Sequence, residues 1–116
     1  MNKFEKLRSR YLSDSIPVRL GGLASNLARV ASFSKHDGHQ EATVTVIKES
    51  KWFIEWTAND LDIGQTAELL RLKLQLARWQ IQAPGSWHDE NWRRDLYRKA
   101  QQWSEQLLKM SGLVAL

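Results

Sequence analysis

The chain has 116 residues, 42% hydrophobic and 26% charged, with no Cys, two Pro, six Gly and a formal net charge of +4. That is the size of one domain, here taken as residues 1–116. The missing Cys excludes a disulfide scaffold, a Cys-ligated zinc site and a thiol nucleophile. Few Pro and Gly exclude collagen-like and Pro/Gly-rich disordered classes.

No apolar run approaches the ~18 residues of a membrane span, so no membrane partner is expected. The opening stretch MNKFEKLRSR has no apolar segment of signal-peptide type, and the expected location is the cytoplasm. The positive charge is concentrated early: residues 1–40 carry seven basic side chains against three acidic ones. Lys3, Lys6, Arg8 and Arg10 are the candidate contacts to an anionic partner such as nucleic acid. An ordinary solvated face accounts for them equally simply.

Phe4, Leu7 and Tyr11 recur at spacings of three and four, which predicts a short helix over residues 2–12. Ser13-Asp14-Ser15 before Ile16-Pro17 is a helix start. The second helix is predicted over 16–35, its core stripe being Ile16, Leu20, Leu23, Leu27, Val30 and Ser34, widened by Ala24 and Ala31. Beside it runs a row of small residues: Gly21, Ser25, Ala28 and Ser32. Gly21 and Gly22 each cost about 1 kcal/mol relative to Ala inside a helix, which close approach of another backbone would offset. The alternative is a break at this pair.

His36-Asp37-Gly38-His39 reads as a turn. A third helix is predicted over 39–58, with Val46, Ile47, Ser50, Phe53, Ile54 and Thr57 on one face. The β-branched run Thr43–Ile47 favours strand locally, but the helical period continues through Phe53 and Ile54. Asn59-Asp60 separates this helix from a fourth, predicted over 61–82. There Ile63, Ala67, Leu70, Leu74, Ala77 and Ile81 point one way, while Leu61, Leu69, Leu72, Leu76 and Trp79 point nearly the opposite way. A helix apolar on two faces is sandwiched between two layers.

Ala83-Pro84-Gly85 reads as a break, with Ser86 as the N-cap of a fifth helix over 87–111. Trp92, Leu96, Ala100, Trp103, Leu107 and Met110 form its stripe, and Gly112 terminates it. The tail Leu113–Leu116 is apolar and suited to folding back on the bundle. Short loops make consecutive long helices antiparallel neighbours. The expected fold is all-α: an antiparallel up-down bundle of four long helices with a short N-terminal helix.

Catalytic and cofactor chemistry depends on residue types at set spacings. A di-iron bundle needs Glu-x-x-His on two helices, and no His has Glu three residues before it. Phosphate-loop, dinucleotide and nucleophile-elbow patterns are missing. His36, Asp37, His39 and Glu41 form the only ligand-like cluster, which a polar turn capping the third helix explains as well. His88-Asp89-Glu90 has the same plain explanation. Gly64-Gln65-Thr66-Ala67 faintly resembles a helix-turn-helix element, but residues 61–82 lack the required turn. No cofactor, metal or catalytic residue is expected.

Six Trp in 116 residues is the compositional anomaly. Trp92 and Trp103 lie on a core stripe. Trp52 and Trp56 do not, and Trp is enriched at contact hot spots. Three readings stay open: an interface, intrachain cover by Phe4, Leu7 and Tyr11, or base stacking, which Glu49 and Glu55 disfavour.

The stretches SNLARVASFSKH, ESKWFIEWTA, LRLKLQLARWQ and KMSGL resemble small uncharacterised all-helical proteins of cyanobacterial genomes. The resemblance implies an all-helical fold and assigns no activity or site residue. The functional expectation is a non-catalytic interaction or scaffold protein that self-associates, most simply as a homodimer. Its candidate interface is Trp52, Trp56, Leu69, Leu72, Leu76 and Trp79, where the fourth helix's second face seeks cover. The alternative is a nucleic-acid-associated regulator using the basic N-terminal third.

Overall fold

A computed structural model describes residues 2–113. The helices are α1 (Lys3–Ser13), α2 (Ile16–Phe33), α3 (Gln40–Ala58), α4 (Ile63–Ser86) and α5 (Glu90–Ser111), with one 3-10 turn at Asp37–His39. No strand occurs among the described residues. The long helices α2–α5 form an all-α bundle, and α1 lies against α3.

Local chemistry sets most of the boundaries. Asn2 caps α1 by accepting from the Glu5 amide at 2.8 Å, and Asp62 caps α4 by accepting from the Gln65 amide at 2.8 Å. Pro17 sits in the first turn of α2, where its missing N–H is harmless. Gly112 adopts the left-handed conformation, φ 70°, just past α5, as a helix-terminating glycine does.

The helix α2 runs unbroken through Gly21 and Gly22 and forms the centre of the packing. Leu20, Leu23, Ala24, Leu27, Val30 and Ala31 are all buried. Its most extensive partner is α5. There Ser104 Oγ donates to the Ala24 carbonyl at 2.8 Å, a contact that needs small residues on both helices. On α3, Val46, Ile47, Ser50, Phe53, Ile54 and Thr57 are buried as the periodicity predicts. Residues 43–47 are helical despite their β-branching, because the buried face continues over the whole helix and tertiary packing outweighs a small local preference.

Two expectations about α4 are corrected. Leu69, Leu72 and Leu76 are fully buried and Trp79 is 2% exposed, so this face is the chain's own core and not a separable interface. The face left to solvent is the other one: Ile63 is 90% exposed, Ile81 80%, Leu74 56% and Leu70 51%. Which of two apolar faces turns inward depends on where α3 lies, and α4's sequence alone does not encode that.

The second correction concerns Pro84. α4 continues through Pro84 and Gly85 to Ser86, and α5 begins at Glu90 with Asp89 as its cap instead of Ser86. Pro84 and Gly85 are solvent-exposed. The extra turn places Trp87, 1% exposed, in the core, and its indole N–H donates to the Asp37 carbonyl. Burying a Trp contributes more than a late Pro costs where one helical hydrogen bond at the solvent side is lost.

The short α1 is fastened by Tyr11. Its ring stacks on Phe53 at 4.1 Å between centroids. Its hydroxyl donates to the Arg19 carbonyl at 3.1 Å and pairs with Thr57 Oγ1 at 3.0 Å. Leu113 lies over Gly21, where an added Cβ would come within 2.9 Å of its side chain. The rest of the apolar tail, residues 114–116, lies outside the described residues.

Burial pushes the Tyr11 phenol up to about 12, against a smaller opposing effect of the Thr57 hydrogen bond. A phenol whose pKa is raised by folding contributes its full stability below pH 10 and loses it as pH rises toward 12. The loss amounts to about 2–3 kcal/mol. Denaturant unfolding across pH 9–12 is expected to show that decline in the wild type and a flatter profile in Tyr11→Phe, whose missing 295 nm absorbance step identifies the late-titrating group.

Candidate interaction surface

The outer face of α4 follows from helix geometry. At about 100° per residue, Ile63, Ala67, Leu70, Leu74, Ala77 and Ile81 fall within about 80° of one another. The inner residues Leu69, Leu72, Leu76 and Trp79 fill the opposite side and meet α3 and the core. The outer stripe is about 27 Å long at 1.5 Å rise per residue. Its ends, Ile63 and Ile81, project almost fully into solvent. Among the described residues, α1 lies against α3 and Leu113 lies against α2, away from this stripe.

Polar residues flank the stripe. On one edge Arg71 pairs with Glu68 at 3.0 Å, and Gln106 of α5 donates to the same carboxylate at 2.7 Å. Arg78 stands exposed on this edge and makes no ion pair among the described residues. On the other edge Lys73 pairs with Glu55 of α3, and Lys51 donates to Gln80 at 3.1 Å. Lys48, Lys51, Trp52 and Glu55 of α3 line a shallow groove with Lys73 and Gln80.

The two Trp singled out from the sequence lie next to this groove, and α1 accounts for much of their cover. Phe4 meets Trp52 and Trp56 edge-on at 5.0 and 5.4 Å, and Tyr11 and Phe53 pack on Trp56. Trp56 is half-buried, while Trp52 remains 43% exposed at the groove. Of the other candidate residues, Lys3, Lys6, Arg8 and Arg10 are all exposed. Lys3, Lys6 and Arg10 share a surface with Phe4 and Leu7. The helical repeat turns Arg8 well over 100° from Lys3.

The histidine turn is built differently from a ligand cluster. His36 and His39 approach ring to ring, centroids 4.9 Å apart. Asp37 turns away from them: its carboxylate lies 2.7 Å from His88 Nδ1 and 3.2 Å from Arg93. Those contacts, the His88 hydrogen bond foremost, hold the Asp37 carboxyl below the usual carboxylate range. Arg93 also donates to the carbonyls of Ser34 at 3.1 Å and Trp87 at 2.6 Å, tying the end of α2 to the start of α5. Glu41 is exposed in the first turn of α3. Among the described residues, no three His, Asp or Glu side chains converge as a metal-binding group. The pairing of Asp37 with His88 and Arg93 joins residues more than 50 positions apart and left no spacing signal in the sequence.

No protein-family model matches the sequence, and neither the curated proteins nor the solved structures include a chain that matches it. Among the described residues, no helix is long and apolar enough to cross a membrane. Among the described residues, four of the eight exposed large hydrophobic side chains (Ile63, Leu70, Leu74 and Ile81) lie on the outer stripe of α4.

The two faces of α4 predict opposite mutational responses. Leu76→Ala empties a fully buried site and is expected to cost about 2–5 kcal/mol in denaturant unfolding. Leu74→Ala, two residues away and more than half exposed, is expected to cost about 0.5 kcal/mol or less in the monomer. Equal costs at both positions would mean that the faces have been assigned wrongly.

Proposed function

We propose that this chain is a non-catalytic interaction or scaffold protein that works by self-association through the outer face of α4. The observation that carries the reading is the exposed stripe from Ile63 to Ile81. The largest apolar patch on a typical soluble monomer is about 300–600 Å² and is often functional. A helix-wide strip about 27 Å long, with four large aliphatic side chains at least half exposed, falls in that class. The neighbouring Trp52 extends the same surface with a residue type favoured at contact hot spots.

A non-catalytic role is supported by how the polar residues are engaged. Asp37 and His88, the pair closest to an acid–base arrangement, are both more than half exposed and are bound into the Arg93 network. That network reads as structural: it closes one end of the bundle.

Light scattering over 1–100 µM is expected to give twice the monomer mass for the wild type. A folded monomer is expected for Leu70→Glu/Leu74→Glu, with circular dichroism unchanged because neither side chain is part of the core. A wild type that stays monomeric at tens of micromolar sinks the reading.

A second reading, contact with an anionic partner such as nucleic acid, is favoured by the shared face of Lys3, Lys6 and Arg10. Three phosphate contacts give a slope of about −2 to −3 in log affinity against log salt. Binding titrations on duplex or single-stranded DNA should show that shallow slope and lose it in Lys3→Ala/Lys6→Ala/Arg10→Ala. A slope unchanged by the triple substitution removes this reading.

A further inference from the structure

The outer stripe of α4 has a regularity beyond being apolar. Ile63, Ala67, Leu70, Leu74, Ala77 and Ile81 are spaced four, three, four, three and four. That is a strict two-in-seven heptad pattern, the signature of a helix seam that receives another helix. A helix face that packs only into its own globular core is broader.

The order is also palindromic: Ile-Ala-Leu-Leu-Ala-Ile reads the same in both directions about Leu72. In a two-fold interface each residue i meets residue j of the second copy, and j meets i. We propose, resting on the self-association reading above, that the occupant of this face is a second copy of the chain. Its α4 runs antiparallel across a two-fold axis at Leu72. Ile63 then meets Ile81 of the second copy, Leu70 meets Leu74, and Ala67 meets Ala77. Large residues oppose large ones, and the Ala pairs allow the helices to approach closely.

The exposed charges fit the antiparallel direction. Arg78 is exposed and makes no ion pair among the described residues, while Glu68 lies on the same edge of the stripe. The two-fold arrangement places Arg78 within about 3 Å, along the axis, of Glu68 of the second copy, given 1.5 Å per residue. The contact occurs twice. A parallel arrangement instead sets Arg78 against the edge carrying Lys73 and Gln80 of the second copy, where the carboxylate at hand, Glu55, already pairs with Lys73. Near the axis the two-fold arrangement brings Arg71 opposite Arg71 and Lys73 opposite Lys73 of the second copy, where Glu68 and Glu55 of their own chains act as counterions.

The area of α4 alone is about half of what a specific dimer needs, so the flanking surface has to take part. A strip about 27 Å long and 10–12 Å wide gives a footprint of about 300 Å² from α4 alone. In the proposed dimer the flanking side chains and the 43% exposed Trp52 of α3 supply the remainder needed to reach the lower part of the range for specific interfaces, about 600–1,000 Å² per partner. Micromolar association follows more naturally than nanomolar.

The chain has no Cys, so introduced thiols report on geometry without interference. Ala67→Cys and Ala77→Cys are purified separately, then oxidised alone and as an equilibrated mixture. In the proposed dimer, position 67 faces position 77 of the second copy, while the two copies of position 67 are about 15 Å apart along the axis, far beyond disulfide reach. The mixture is expected to form a covalent heterodimer at least tenfold faster than either variant alone forms a homodimer. If each variant cross-links to itself as fast as the mixture, the seam is parallel and the proposal falls. If native mass shows a dimer but no pair cross-links, association uses another face: the proposal falls while the self-association reading stands. A monomeric wild type overturns both.

Discussion

The close approach of α2 and α5 governs the rest of the structure. Ser104 reaches the Ala24 carbonyl across a contact that a larger residue at either position would hold apart. Around it Leu20, Leu23, Leu27 and Val30 of α2 are sealed from solvent together with Leu96, Ala100 and Leu107 of α5. With α2 committed to α5 on one side and to α3 on the other, α4 is left at the rim. It packs on α3 and has few close backbone approaches to α5. Its inner leucines complete the core, and its outer leucines and isoleucines stay at least half exposed.

The aromatic residues answer the same geometry. Where α2 and α5 are close, the contact residues are small. Where helices diverge or a chain end must be covered, Trp fills the space. Trp79 and Trp87 are buried, and Trp92 packs edge-on to Trp87 while its indole donates to Gln82 of α4 at 3.2 Å. Trp52 and Trp56 supply the platform on which α1 lands. The abundance of Trp is thus largely architectural, and Trp52 is the member that keeps substantial contact with solvent.

Helices and their inward stripes were legible from residues 2 to 58 because one helical period outweighed the local alternatives at Gly21-Gly22 and residues 43–47. One apolar face ran along each helix, and residues 13–17, the turn at 36–39 and Asn59-Asp60 marked the boundaries. Legibility failed at two places, for different physical reasons. On α4 two apolar faces competed, and the choice between them belongs to the position of α3. The interface expectation therefore fell on Leu69, Leu72, Leu76 and Trp79, when these are the core. At Pro84 a strong local stop signal lost to the burial of Trp87 one turn later, a gain visible only once Asp37 and Arg93 are known to lie beside that indole. The Asp37–His88–Arg93 cluster was unreadable for a similar reason: its members meet only after the bundle closes.

The hydrogen bonds that close the bundle also span the chain. Tyr11 reaches Thr57, Ser34 reaches Arg93, Asp37 reaches Trp87, and Ala24 reaches Ser104. The most extensive packing joins the first long helix to the last. Neither the α2–α3 hairpin nor the α4–α5 hairpin encloses a core of its own, since each turns its buried stripes toward the other. Cooperativity is the expected consequence: with α2–α5 sharing one core, the bundle should unfold in a single transition.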